Sequence, residues 1–112
     1  MRSKVAIPLE NGNLCSHFGH CEQFAIVEVE NNAIVDEKYI TPPPHEPGLL
    51  PGWLAGFGVT HVIAGGMGQK ALSLFSQQHI KVQCGAQPKS PKELVNDWIS
   101  NALVTGDNAC DH

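Results

Sequence analysis

The stretch CSHFGHC, from Cys15 to Cys21, places two thiols and two imidazoles within a few residues of each other. Thiolates and neutral imidazoles are the soft and borderline donors that suit zinc, copper(I) and iron-sulfur units. The spacing narrows the choice, because the five residues between Cys15 and Cys21 match neither the two-residue knuckle of structural zinc nor a ferredoxin pattern. An open site that clasps a preformed cluster or a loosely held metal needs fewer protein donors, and this sparse set fits it better than a closed zinc site. The candidate metal donors are therefore Cys15, His17, His20 and Cys21, with Cys84, Cys110 and His112 as completions from elsewhere in the chain.

Plainer roles compete for several of these residues. Cys84, at a strand end, also reads as a buried apolar thiol, and His17 could equally bond loop backbone. His61 opens a strand and His79 closes a helix, where an imidazole suits the negative helix end; both read as structural. His45, among prolines, reads as a solvated loop residue. The glycines of Gly65 to Gly68, with Lys70 nearby, could admit a phosphate to a helix N-terminus. Their spacing matches neither dinucleotide nor P-loop fingerprints, and close helix-strand packing explains them as well. The strands Lys4 to Leu9 and Val59 to Ala64 carry no interior carboxylate, and no Ser or Cys has a recognisable nucleophile motif. The protein is therefore expected not to be an enzyme.

Bulk properties set the frame. A chain of 112 residues, 42% hydrophobic and 16% charged, is sized for one globular domain with its own core. Its net charge of -4, without a basic run, argues against a grip on nucleic-acid phosphates. No apolar run is long enough to span a bilayer. MRSKVAIPLE leaves no room for a signal-peptide core, so the cytoplasm is expected, and with it cysteines kept reduced.

The elements that must position the donors follow from periodicity. SKVAIPL reads as a buried first strand, and the turn-rich ENGN ends it. Gln23 to Glu30 and Ala33 to Ile40 flank Asn31 and Asn32, which tolerate positive φ, so a tight antiparallel hairpin is expected. TPPPHEP is a stiff connector. Apolar residues at three- and four-residue intervals predict a helix in GLLPGWLAGFG, with Pro51 tolerable only in the first turn. Val59 to Ala64 is a strand, GQKALSLFSQQH a helix, and Ile80 to Cys84 a short strand. Ser90, Pro91 and Glu93 then give an N-cap, an initial proline and a capping-box glutamate for a last helix through Leu103. Residues 1–103 are expected to form one domain, followed by a loosely held Cys/His tail at 104–112.

Strand-helix-strand repeats require parallel strands with right-handed crossovers. The expected result is a mixed five-stranded α/β sheet of order 3-2-1-4-5, with strand 2 antiparallel. In such a sheet the parallel strands one, four and five release their loops on one edge, where open α/β sheets bind ligands. Cys15, Cys21 and Cys84 then share that rim. The last helix travels about 20 Å away from it, and a nine-residue tail reaches about 30 Å, enough to bring Cys110 and His112 back.

The opening VAIPLENGNLCSHFGHCEQFAIVEVE resembles the start of the dinitrogenase iron-molybdenum cofactor biosynthesis family. The matching features are Ile7-Pro8, Gly12, Ser16-His17-Phe18-Gly19 and Phe24; a second signature resembles Val62 to Val82. The resemblance implies a three-layer ribonuclease-H-like fold without nuclease carboxylates. It also implies a protein that binds, carries or helps insert iron-molybdenum or related metal-sulfur clusters, and zinc is the less fitting metal. A cluster-assembly or ATPase protein is the class of partner, with neither nucleic acid nor membrane. By resemblance His17 contacts the cluster, and Ser16, Phe18 and Gly19 shape its loop. Cys15 and Cys21 depart from the family hallmark, pointing to a different metal or a tighter grip on the same kind of cluster. The competing reading is a redox-sensitive interaction or regulatory module working through the same rim.

Overall fold

Every residue from Val5 to Leu9 is buried, so the strand they form needs cover on both faces. Side chains alternate along a strand, and here the alternation divides cleanly: Val5, Ile7 and Leu9 join one apolar cluster, while Ala6 joins another. The computed structural model describes residues 2–15, 21–42 and 49–100. It supplies that cover with a mixed sheet and three helices.

The central strand is β1, Arg2–Glu10. Next come β2, Asn13–Leu14, β3, Gln23–Glu30, and β4, Ala33–Ile40. Helix α1, Leu49–Gly56, leads to β5, His61–Ile63; α2, Gln69–Gln77, leads to β6, Lys81–Gln83; α3, Pro91–Ile99, follows. The sheet runs β4-β3-β1-β5-β6, with β2 paired to β1 off that path. β3 is antiparallel to both β1 and β4. β5 and β6 run parallel to β1.

Three expectations change. The sheet has six strands rather than five; with the added strand counted as β2, the expected order 3-2-1-4-5 is numbered β4-β3-β1-β5-β6. The added strand arises because Asn11 and Gly12 both take positive φ, 55° and 83°, and fold Asn13–Leu14 back onto Leu9 and Glu10. Asn-Gly is the pair a two-residue hairpin turn favours. The strands expected at Val59 to Ala64 and Ile80 to Cys84 each shorten to three ladder residues. The last helix is described as far as Ile99, and the proposed tail at 104–112 lies outside the described residues, as do 43–48 of the proline connector.

Helices cover both faces of the sheet. Leu94 and Val95 of α3 pack with Val5, Ile7, Val27 and Ile63; Leu54 of α1 and Phe75 of α2 pack with Ala6, Phe24, Ile26 and Val62. Each fully buried side chain of this size contributes about 1.5–3 kcal/mol. Local chemistry sets the ends of the elements. Asn31 and Asn32, at φ 52° and 64°, make the β3–β4 turn. Pro51 sits buried in the first turn of α1, where it forfeits no helical hydrogen bond. The Lys4 ammonium donates to the Phe57 carbonyl (2.9 Å) just past the far end of α1. Ser90 accepts from the Glu93 N–H at 3.4 Å, with Pro91 opening α3.

The end of α2 is less comfortable. His79 N–H donates to Ser76 O and Ile80 N–H to Phe75 O, both at 3.0 Å, which is the Schellman pattern. That pattern forces His79 to φ 59°, a conformation glycine adopts without a Cβ penalty. His79→Gly is therefore expected to stabilise the fold by about 0.5–1 kcal/mol, read as a higher midpoint in chemical denaturation.

His61 has a structural role. Its ring stacks on Trp98 at 4.8 Å, and its Nδ1 lies 2.8 Å from Thr60 Oγ1. Burial, and then the charge of Lys81, lower its pKa below the ordinary 6.5. The unfolded chain thus takes up a proton at higher pH than the folded one, so stability falls as pH drops below about 6.5. Thermal melts should show that loss, and His61→Gln should flatten the acid limb; an unchanged pH profile in the variant counts against this assignment.

Candidate functional site

β1, β5 and β6 are parallel, so Glu10, Ile63 and Gln83 close their strands on one edge. The loops beyond are stitched together. Ala64 N–H donates to Gln83 O at 2.8 Å, Gly85 N–H to Gly65 O at 2.8 Å, and Ala86 N–H to Ala64 O at 3.2 Å. β2 joins the same rim through Leu14 N–H to Lys89 O, 3.0 Å. The rim is a framework of backbone bonds rather than an open gap.

Cys15 and Cys21 enter this framework from two sides. Cys15 N–H donates to Pro8 O (2.8 Å), and Glu22 N–H, one residue past Cys21, donates to Leu9 O (2.8 Å). The chain therefore leaves β1's vicinity and returns to it at neighbouring residues. The return is clamped by Glu22, whose Oε1 accepts from Asn11 N–H at 2.9 Å. Cys15 is buried, and its thiol lies 3.5 Å from Glu10 Oε2, donating to the carboxylate.

Cys21 is half-buried and packs against the cluster of Phe24, Leu54 and Met67; Cys84 packs against the same cluster. Both thiols thus sit on the α1/α2 side of the sheet. Burial pushes the Cys21 thiol up to about 11, the neighbouring Cys15 adds to the rise, and a backbone hydrogen bond partly offsets it. The influence of Cys15 means the two sulfurs are close enough for one thiolate to disfavour the other. At neutral pH Cys21 carries its proton.

The glycine turn between β5 and α2 is partly closed. Gly66 and Met67 are buried, Met67 within the α1/α2 cluster. Gly68 caps α2 without any side-chain hydrogen bond, and a Cβ built there would meet nothing within 4 Å. The N-cap glycine of α2 thus leaves open space at its own Cβ position.

Of the donors expected from sequence, Cys15, Cys21 and Cys84 are described, and the structure brings the first two together. Ser16, His17, Phe18, Gly19 and His20 lie outside the described residues, as do Cys110 and His112. Among the described residues, no group of three or more His, Cys, Asp or Glu is placed to hold a metal ion. Sequence reasoning missed Glu10 and Glu22. The signal for both was the Asn-Gly turn, which makes Glu10 the end of a hairpin and sets Asn11 opposite the returning chain.

The family described as "Dinitrogenase iron-molybdenum cofactor" matches residues 1–101. The uncharacterized protein MJ0580 of Methanocaldococcus jannaschii is 39% identical over 84 residues, covering 70% of this chain and 71% of its own. The crystal structure of PH0822 superposes with a TM-score of 0.85 at 28% identity, covering 94% of each chain. MJ0327 of Methanocaldococcus jannaschii shares the fold, with a TM-score of 0.78 at 19% identity over 96% of this chain and 98% of its own. No described helix is long and apolar enough to cross a membrane. With its family match spanning nearly its whole length, the chain belongs to the dinitrogenase iron-molybdenum cofactor family.

Proposed function

We propose that the protein binds and carries a metal-sulfur cluster, of the iron-molybdenum or a related kind, at the rim where β1, β5 and β6 end, and that it catalyses no reaction. The observation that carries this reading is the return of Cys15 and Cys21 to neighbouring residues of β1, with thiols near enough to feel each other's charge. Thiolates are the ligands iron-sulfur and related clusters prefer. In this reading Cys15 and Cys21 hold the cargo, Cys84 lies on the face toward it, and His17 and His20 come from the intervening loop. Ser16, Phe18 and Gly19 shape that loop, and Cys110 and His112 are completions from the tail.

Charges of both signs face the proposed site, with the Glu10 carboxylate against the Cys15 thiol and helix starts nearby. The starts of α2 and α3 both follow loops of this rim, the loop before α2 tied to the loop after β6 and the loop before α3 tied to β2 through Leu14 N–H and Lys89 O. Helix N-termini carry partial positive charge, which suits a sulfide-rich cluster. Two protein thiolates with few other donors also suit a cluster that brings its own sulfur, since a bare zinc ion would want four protein ligands. A three-layer ribonuclease-H-like architecture, a reducing cytoplasmic setting and a cluster-assembly or ATPase partner complete the proposal.

The competing redox-sensor reading is disfavoured by the same thiols. Sensor cysteines are exposed and readily ionised, whereas Cys15 is buried and Cys21 is pushed up to about 11. Metal replaces these protons as it binds, so cargo uptake should release protons and weaken as pH falls.

Protein purified without oxygen and reconstituted with iron, sulfide and molybdate should take up metal and gain visible absorption. Combined Cys15→Ser and Cys21→Ser substitution should cut that uptake roughly tenfold or more while leaving the circular dichroism spectrum unchanged. A colourless wild-type protein that stays metal-free after reconstitution ends the proposal.

Cys21 alkylation by iodoacetamide, mapped by mass spectrometry, should be slow at neutral pH and rise only toward pH 11. In Cys15→Ser that rise should shift to lower pH, because a neighbouring thiolate charge is gone. An identical profile in the two proteins means the sulfurs do not interact.

A further inference from the structure

The sheet ends at β6 without a further described strand. Lys81 N–H donates to Thr60 O, and Gln83 O accepts from Ala64 N–H. In a parallel ladder the residue between them directs its N–H and C=O the other way, so Val82 presents both groups at the outer edge. Beside that edge runs a groove of about 620 Å³, lined by Leu72, Ser76, His79, Ile80, Lys81 and Val82. Leu72, Ile80 and Val82 make it apolar, and His79 and Lys81 make it basic.

Charge is distributed one-sidedly along the chain. Residues 47–92 carry Lys70, Lys81, Lys89, Lys92, His61 and His79 but not one Asp or Glu, in a protein of net charge -4. The carboxylates lie instead in the first 46 residues and from Glu93 onward. Neither Lys70 nor Lys81 forms an ion pair with a described residue. His79, fixed by the Schellman cap of α2, stands at the wall of this groove.

We propose that the β6 edge and its groove dock an extended acidic segment of a partner protein, which adds to the sheet as a strand. Val82 supplies the backbone pairing. Alternate apolar side chains of the segment enter the groove against Leu72, Ile80 and Val82, and its carboxylates meet Lys81 and His79. This is strand addition at a sheet edge, in which backbone bonds give affinity and alternate side chains give specificity. The occupant is a separate protein rather than a second copy. The acidic strand at the other edge of the sheet is β4, whose pairing with β3 shifts register between Glu28 and Val29, and a β4-to-β6 contact between copies would be head-to-tail and would not close. The docking surface stands independently of the cluster reading.

The test uses the full chain and a fluorescein-labelled, capped ten-residue peptide of alternating glutamate and valine, with a lysine-valine peptide and an oligothymidylate as controls. Anisotropy should show saturable binding of the glutamate peptide alone, weaker at high salt. Lys81→Glu with His79→Glu should weaken it roughly tenfold or more, and its melting curve would show whether the variant is folded. In wild-type protein, peptide binding should slow exchange of the Val82 amide roughly tenfold. Lys81→Ser serves as a milder second variant and should show an intermediate loss. Equal binding of the two peptides, displacement by the oligothymidylate, an unaltered Val82 exchange rate, or wild-type self-association that already protects Val82 would each overturn the proposal.

Discussion

The structure depends on β1 being buried on both faces. A strand whose central residues are buried on both faces needs apolar cover on each side, and here it also gains partners along each edge. β3 takes one edge over eight residue pairs and β5 takes the other. α3 seals one face, α1 and α2 the other. Parallel pairing with β5 and β6 then follows from the crossover helices, because a strand entered from a helix on the sheet's face returns in the same direction. That shared direction gathers the loops after β1, β5 and β6 at one rim. Cys21 and Cys84, far apart in sequence, thereby pack against the same apolar cluster.

The rim shows how a site can be held rigidly at its base while its donors come from a loop. Pro8 and Leu9 are committed to the core through their side chains, yet their carbonyls remain to accept from Cys15 and Glu22. The two ends of the loop are thus fixed by residues that cannot move without opening the core. Glu10 and Glu22 add side-chain ties at the same place. Mutations in the core beneath β1 would therefore disturb the thiols without touching them.

Much of this was legible in the sequence because the relevant signals are local. The paired asparagines between β3 and β4, Pro51 in the first turn of α1 and the Ser90–Glu93 cap all act within a few residues, and each appears where its chemistry placed it. The continuous apolar run in SKVAIPL read as a buried strand, as β1 is. β2 was not foreseen, although Asn11-Gly12 is as strong a hairpin signal as the asparagine pair, because only two residues follow it before the chain leaves the sheet. The Cys15–Glu10 contact depends on that missed hairpin. The charge asymmetry was present in the sequence too, but a single net charge averages it away, and it gains meaning only when β6 is known to be an edge.

The thiol chemistry of the rim also bears on why a carrier would be built this way. Cys21 resists ionisation, since burial and the charge of the neighbouring Cys15 thiolate both favour its protonated form. A metal-sulfur cargo removes that resistance by supplying positive metal centres to each thiolate, and the proton cost returns when the cargo leaves. A structural metal site minimises that cost with four well-matched ligands and a closed shell. Under the carrier proposal, a site with few thiols and a Cys21 that burial keeps protonated would hold its cargo by a margin that better-matched ligands could overcome. Under that proposal the sparse donor set and the raised Cys21 pKa would both favour reversible hold, and both trace back to loop ends pinned against a fully buried strand.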